Sequence, residues 1–442
     1  MTMDWSPICV ASTAIGASKE LDNDATSPEC RDTGSRSPIA RESDSPSSHE
    51  DPASPSSSNS DIQASPAAAV AIHPEENLTT HHFKSVEWTP DGTTLLAESA
   101  NHCIRTFILP PDLLEGEKPH RLSPYSTLAS AEPTYASAVY PFFNLQDPTT
   151  CLFLSSVRDH PIRLASALVP TSVASYALVN PMTEAFITPH SILYPSTLGG
   201  THFLTGSDSM ICLFDVSRSG NEGPVSWMPT IPSKRKQIVG GGVGMKGIVS
   251  AMAVNPTGDG ILAAGTFTRH IGLYSSNGSG ELLGTFNIAK TEANRDIGGK
   301  GVTQLTWSPC GRYLYIAERK CDGVLVYDIR VTGQMLGYLR GRNALTNQRM
   351  NIDVVNSGAE GSHEVWAGGI DGIMRVWKDP AFTVGAHDPD WEFKVHDDAV
   401  TSAAFHSSGS VVATCSGQRR DENSGPADNS LKVWSMPFLN SE

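Results

Sequence analysis

The sequence predicts an all-β fold, a seven-bladed β-propeller behind a disordered N-terminal tail, and three observations carry that prediction. A short strand signature, apolar, any residue, apolar and usually an aromatic, returns seven times, at 104–107, 162–165, 211–214, 271–274, 324–327, 374–377 and 431–434. Only the second copy lacks the aromatic, ending in Ala165. Sixteen to 26 residues before each copy stands a second element, a strand that breaks at a turn. It reads Trp88-Thr-Pro-Asp-Gly, Val139-Tyr-Pro, Leu193-Tyr-Pro, Val254-Asn-Pro-Thr-Gly, Trp307-Ser-Pro-Cys-Gly, Val354-Val-Asn-Ser-Gly and Phe405-His-Ser-Ser-Gly. These anchors lie 47 to 61 residues apart, somewhat more than the ~40–45 residues of a minimal WD repeat, whose four short strands make one blade. Third, the composition changes sharply between 76 and 83, so a tail of 1–76 precedes a propeller of 83–437.

The tail is dense in Ser, Pro, Asp and Ala, and its 13 acidic residues outnumber four basic ones. Such a segment buries too little apolar surface to offset the entropy of ordering. It holds six Ser-Pro pairs, at Ser6, Ser27, Ser37, Ser45, Ser54 and Ser65, where a proline-directed kinase would add about −1.5 to −2 charges per site. Within each blade the anchor is the inner strand, apolar for about five residues and ended by Pro or Gly. A second strand follows, as at 94–99, 152–157, 262–266 and 411–416. A loop then places Asn101, Asp159, Asp208, Asp322, Asp371 or Asn429 just before the signature strand, where a short acceptor side chain bonds nearby backbone N–H groups. The fourth, outer strand is weakly marked, as edges usually are.

Composition narrows the function. The 442 residues carry a net charge of −15, much of it in the tail. No long apolar run or signal peptide is present, which predicts a soluble intracellular protein with no membrane partner. Eight cysteines show no C-x-x-C spacing, so neither disulfides nor a zinc site is expected. The stretch Gly240-Gly-Gly-Val-Gly-Met-Lys-Gly fails as a phosphate-binding loop, because Met245 intervenes and Gly247 replaces the hydroxyl. His81-His82 lacks partners at ligand spacing. His396 stands where WD repeats place a histidine that bonds within its blade. Trp88, Trp307, Trp366, Trp377 and Trp434 fall in strands and read as core. Nothing assembles a nucleophile with a base, so no enzyme activity, cofactor, metal or small-molecule substrate is expected.

The loops are more informative. Loops entering the inner strands and loops between second and third strands open on one face, because successive strands run antiparallel. Between second and third strands fall Arg158, Arg269, Arg319, Lys320, Arg419 and Arg420; Lys234-Arg235-Lys236, Arg340, Arg342 and Arg349 fall in loops entering inner strands. Arginine grips phosphate bidentately and stacks on bases, while Asn347, Gln348 and Gln418 offer amide donors and acceptors for base edges. The candidate RNA-binding set is therefore Arg158, Arg269, Arg319, Lys320, Asn347, Gln348, Arg349, Gln418, Arg419 and Arg420, with Arg349 and Arg419 expected in exposed loops. The competing reading is that these arginines pair with neighbouring acids and hold the ring together, and that the face binds peptides.

Several segments resemble the telomerase Cajal body protein family across all seven blades. They are Phe83-Lys-Ser-Val-Glu-Trp-Thr-Pro-Asp-Gly with Ile108-Leu-Pro-Pro-Asp-Leu, Ser155-Ser-Val-Arg-Asp-His-Pro-Ile, Thr346-Asn-Gln-Arg-Met-Asn-Ile-Asp and Ala413-Thr-Cys-Ser-Gly-Gln-Arg. The resemblance implies a non-enzymatic nuclear propeller. Its expected partners are a small nuclear RNA of the Cajal-body class or telomerase RNA, together with ribonucleoprotein proteins, in ribonucleoprotein localisation and biogenesis. Its alternatives are a splicing-associated scaffold for small nuclear ribonucleoprotein components and a peptide-binding adaptor. The tail is unlike that family's in composition.

Overall fold

The structure, a computed structural model, describes residues 7–14, 81–231, 244–331, 333–358, 361–419 and 428–436. Seven blades form the ring, and in each the inner, second and third strands are antiparallel and follow one another in sequence, so the chain builds the blades in order. Blade 1 runs from an inner strand at Phe83–Trp88 through Thr94–Ser99 and Cys103–Ile108 to Ser126–Ala129. The inner strands of blades 2 to 6 are Thr134–Val139, Ser191–Leu193, Val249–Val254, Val302–Trp307 and Ile352–Asn356, and that of blade 7 is Val400–Phe405.

The apolar pattern has a simple destination. Seven buried clusters lie between neighbouring blades, so each sheet face packs on the next sheet and the core is a ring of interfaces. Because their burial is on both faces, the second strands are buried almost throughout with little alternation, whereas inner strands such as those of blades 1, 2 and 5 mix buried with half-buried or exposed residues. Polar groups reinforce the same interfaces, each blade donating to the one after it. Lys84 Nζ donates to Thr134 O (2.9 Å), Ser156 to Pro189 O (2.8 Å), Ser191 to Val249 O (2.9 Å) and Ser250 to Val302 O (2.6 Å). Gln304 then donates to Ile352 O (2.8 Å), the Asn351 N–H to Thr401 O (2.8 Å) and Thr401 to Phe83 O (2.9 Å), which closes the circle.

Ring closure corrects one expectation. Part of the expected tail is structured: Ile8–Ser12 is a strand that pairs antiparallel with the signature strand Leu431–Ser435 and completes blade 7. Ala11 is fully buried, and Thr13 exchanges bonds with Leu431, its N–H to the carbonyl and its hydroxyl from the N–H, both 2.9 Å. Blade 7 is thus built from both ends of the chain. A short parallel strand, His120–Arg121, covers the outer edge of this clasp. The Ser-Pro pairs of the expected tail lie outside the described residues, apart from Pro7.

Candidate functional site

The face carrying the basic loops is shaped by its tight turns. Between second and third strands, one residue in each of blades 1 to 6 takes a positive φ: His102, Asp159, Ser209, Arg269, Lys320 and Gly372. Only glycine adopts this conformation freely, so the turns fix where Arg269 and Lys320 sit at some backbone cost.

At the mouth of the central channel on this face, four side chains from successive blades form one connected chain, and a fifth joins it through the backbone. Tyr135 of blade 2 stacks on His190, in the loop entering blade 3, with centroids 4.7 Å apart and planes 18° apart. His190 meets Phe267 of blade 4 edge-on at 6.1 Å. The Arg319 guanidinium of blade 5 lies 3.9 Å from the Phe267 ring centroid. From the loop entering blade 6, Arg349 reaches across the opening, and its Nη2 donates to His190 O and Ser250 O, both at 3.1 Å. Below this mouth the channel encloses about 490 Å³.

The electrostatics follow from enclosure. Burial lowers the His190 pKa, and Arg349 and Arg319 lower it further, so the imidazole is neutral at neutral pH. Burial likewise lowers the pKa values of Arg349 and Arg319, though both remain cations. The mouth therefore combines half-buried rings with two guanidinium groups, the pairing that holds unstacked bases and phosphates.

The other expected residues divide. Arg419, Asn347 and Lys320 are exposed. Arg158 is half exposed and paired with Glu132, with Asp159 3.7 Å away. Arg269 is committed to the ring, bonding Asn294 at 2.6 Å and the buried Glu318 at 2.8 Å. Gln348 donates to Gly417 O (2.9 Å) and Gln418 to Asp398 (2.8 Å), so the Thr-Asn-Gln-Arg and Ser-Gly-Gln-Arg segments meet at the junction of blades 6 and 7. That junction needs Gly417, since a Cβ there would lie 2.3 Å from His82. Arg420 lies outside the described residues, as do Lys234, Arg235 and Lys236.

Three expectations change. Arg349 is not an exposed loop arginine, because backbone carbonyls of blades 3 and 4 hold its guanidinium. Arg342 is 1 % exposed and bonds only carbonyls, of Gly368, Met350 and Asn351; burial pulls its pKa down to about 10. Arg340 turns outward onto Asp388 at 2.6 Å. The basic face is therefore smaller than a count of loop cations implies. Tyr135, His190 and Phe267 escaped the sequence reading, since no spacing marks them.

His396 bonds within blade 7 as expected: Nε2 contacts Thr414 Oγ1 at 2.8 Å, which also accepts the Trp434 indole N–H at 2.8 Å, while Nδ1 contacts Ser430 (3.1 Å) and Asp428 (3.3 Å). Among the described residues no group of three His, Cys, Asp or Glu is placed to hold a metal ion, and no helix is long and apolar enough to cross a membrane.

Comparison with known proteins adds to this geometry. The model of the WD domain, G-beta repeat, matches residues 388–435. The chain is similar to Guanine nucleotide-binding protein negative regulator 1 of Schizosaccharomyces pombe, 30% identical over 309 residues, 69% of this chain and 72% of the relative. It is similar to human Telomerase Cajal body protein 1, 28% identical over 344 residues, 76% of this chain and 57% of the relative. The Drosophila melanogaster homolog of that protein is 25% identical over 355 residues, with 76% and 57% covered. The match thus spans less than two thirds of the human and fly proteins.

Proposed function

Because this chain belongs to the telomerase Cajal body protein family of WD-repeat propellers, we propose that it is a nuclear, non-enzymatic RNA-binding propeller. Its ligand is a small nuclear RNA of the Cajal-body class or telomerase RNA, and it acts in ribonucleoprotein localisation and biogenesis. The observation that carries this reading is the contact series Tyr135, His190, Phe267 and Arg319 at the channel mouth, joined by Arg349 through the His190 carbonyl. Rings of this kind accept unstacked bases, and Arg419, Lys320 and Arg158 around them supply phosphate contacts. Asn347 is exposed beside the mouth and offers an amide to a base edge.

The test is ultraviolet crosslinking of the tagged protein in its own cells, with sequencing of the attached RNA. Guide RNAs of the Cajal-body class or telomerase RNA are expected. Enrichment of spliceosomal RNAs would redirect the role to splicing, and background RNA alone would leave a protein-binding scaffold. In vitro, Arg419→Ala is expected to weaken binding of the recovered RNA several-fold and to reduce the salt slope by about one, with the melting temperature unchanged. Unaltered affinity and slope would remove Arg419 from the interface.

A further inference from the structure

The opposite end of the channel has a different chemistry. There the inner strands end and the turns leading to the second strands surround the opening. Among the described residues these turns carry Asp91, Asp147 and Asp259 against the single cation Arg312. One residue before the end of the blade 1 inner strand, Glu87 faces the cavity and has no hydrogen-bond or ion-pair partner among the described residues. Its side chain is exposed to the channel. Asp353 also lines the cavity, and accepts only backbone N–H groups, from Phe405 at 2.7 Å and Val354 at 2.8 Å. Trp88 and Phe405 complete the wall. The two cations in the channel are already engaged: Lys84 with Glu98 and Thr134 O, Arg349 with two carbonyls.

A channel end with two carboxylates, no free counter-cation among the described residues and aromatic sides is suited to receive a positive charge. We propose that this end of the channel is a second binding site, which takes one guanidinium or ammonium side chain from a basic protein segment. Glu87 forms the ion pair, Asp353 assists, and Trp88 and Phe405 contact the alkyl stem or the cation face. The acidic rim draws a basic segment toward this opening. The site lies on the face away from Arg319 and Arg349, so a protein ligand and an RNA ligand would occupy opposite ends of one ring.

The test uses the full-length protein and two peptides, acetyl-Gly-Arg-Gly-amide and the same peptide with citrulline in place of arginine. Binding is read by saturation-transfer NMR and titration. The arginine peptide is expected to bind and the neutral citrulline peptide to bind at least about tenfold more weakly. Glu87→Gln keeps size and fold while removing the charge, and should lose the arginine peptide by a similar factor. Asp353→Asn, whose melting temperature is checked alongside, should lose less. Arg419→Ala should leave peptide binding intact. Equal binding of the two peptides, undiminished binding by Glu87→Gln, or no binding of the arginine peptide by the wild type would each overturn the proposal.

Discussion

Two Gln-Arg steps lie side by side in this ring and meet opposite fates. Gln348-Arg349 sits in the loop entering blade 6, and Gln418-Arg419 just beyond the second strand of blade 7, with Gln348 bonded to the carbonyl of Gly417. Arg349 turns inward and ties blade 6 to the carbonyls of His190 and Ser250, whereas Arg419 is exposed. Their glutamines differ too: Gln348 crosses between blades to a neutral carbonyl, and Gln418 satisfies the buried carboxylate of Asp398. A dipeptide alone therefore does not say whether an arginine is structural. Position relative to the axis does, because only there do several blades present acceptors to one side chain.

The two arginines should differ most in what their removal costs the fold. Arg349→Ala removes a charge-assisted donor from two carbonyls in an enclosed mouth, and should cost about 2–3 kcal/mol in denaturant unfolding. Arg349→Lys should recover only part, since a point-charge ammonium lacks the planar fork. Arg419→Ala should stay within about 0.5 kcal/mol. Equal losses at the two arginines would show that the inward tie contributes nothing particular. The glutamines should follow in reverse order. Gln418→Ala removes one donor from the buried Asp398 carboxylate and should cost about 1.5–2 kcal/mol, against about 1 kcal/mol for Gln348→Ala. The same measurement checks both.

Sequence and structure agree where burial is uniform. The second strands at Thr94–Ser99, Leu152–Val157, Leu262–Thr266 and Val411–Ser416 have the expected bounds, because both faces pack against neighbouring blades and turn residues bracket each run. The clasp was hidden for a physical reason. Ile8–Ser12 holds four apolar residues, Ile8 to Ala11, in a polar context, and what makes it a strand is Leu431–Ser435 at the other end of the chain. The site was half visible. Its arginines announce themselves by charge, yet charge does not distinguish Arg419 in solvent from Arg349 on carbonyls or Arg269 on Glu318. Tyr135, His190 and Phe267 come together only when blades 2, 3 and 4 converge on the axis, and no local pattern records that convergence.

The smallest expected effect distinguishes the two arginines most finely, because each stands beside a histidine. Burial, first, and then Arg419 and Lys84 pull the His82 pKa down to about 4, while Asp398 opposes them. Burial followed by Arg349 and Arg319 lowers that of His190. Removing a neighbouring cation relieves only part of the depression, since the larger cause is enclosure. In NMR titrations of the full chain, Arg419→Ala should therefore raise the His82 pKa, leave it below the usual imidazole value, and not move His190. Arg349→Ala should do the converse. The sign for stability follows: a histidine with a lowered folded pKa stabilises above its unfolded value of about 6.5 and loses that contribution as pH falls through the folded value. Acid should thus destabilise the wild-type ring between about pH 6.5 and 4, and Arg419→Ala should narrow that window at its lower end. A His82 titration that ignores Arg419 but responds to Arg349 would mean that the two Gln-Arg steps do not occupy separate environments.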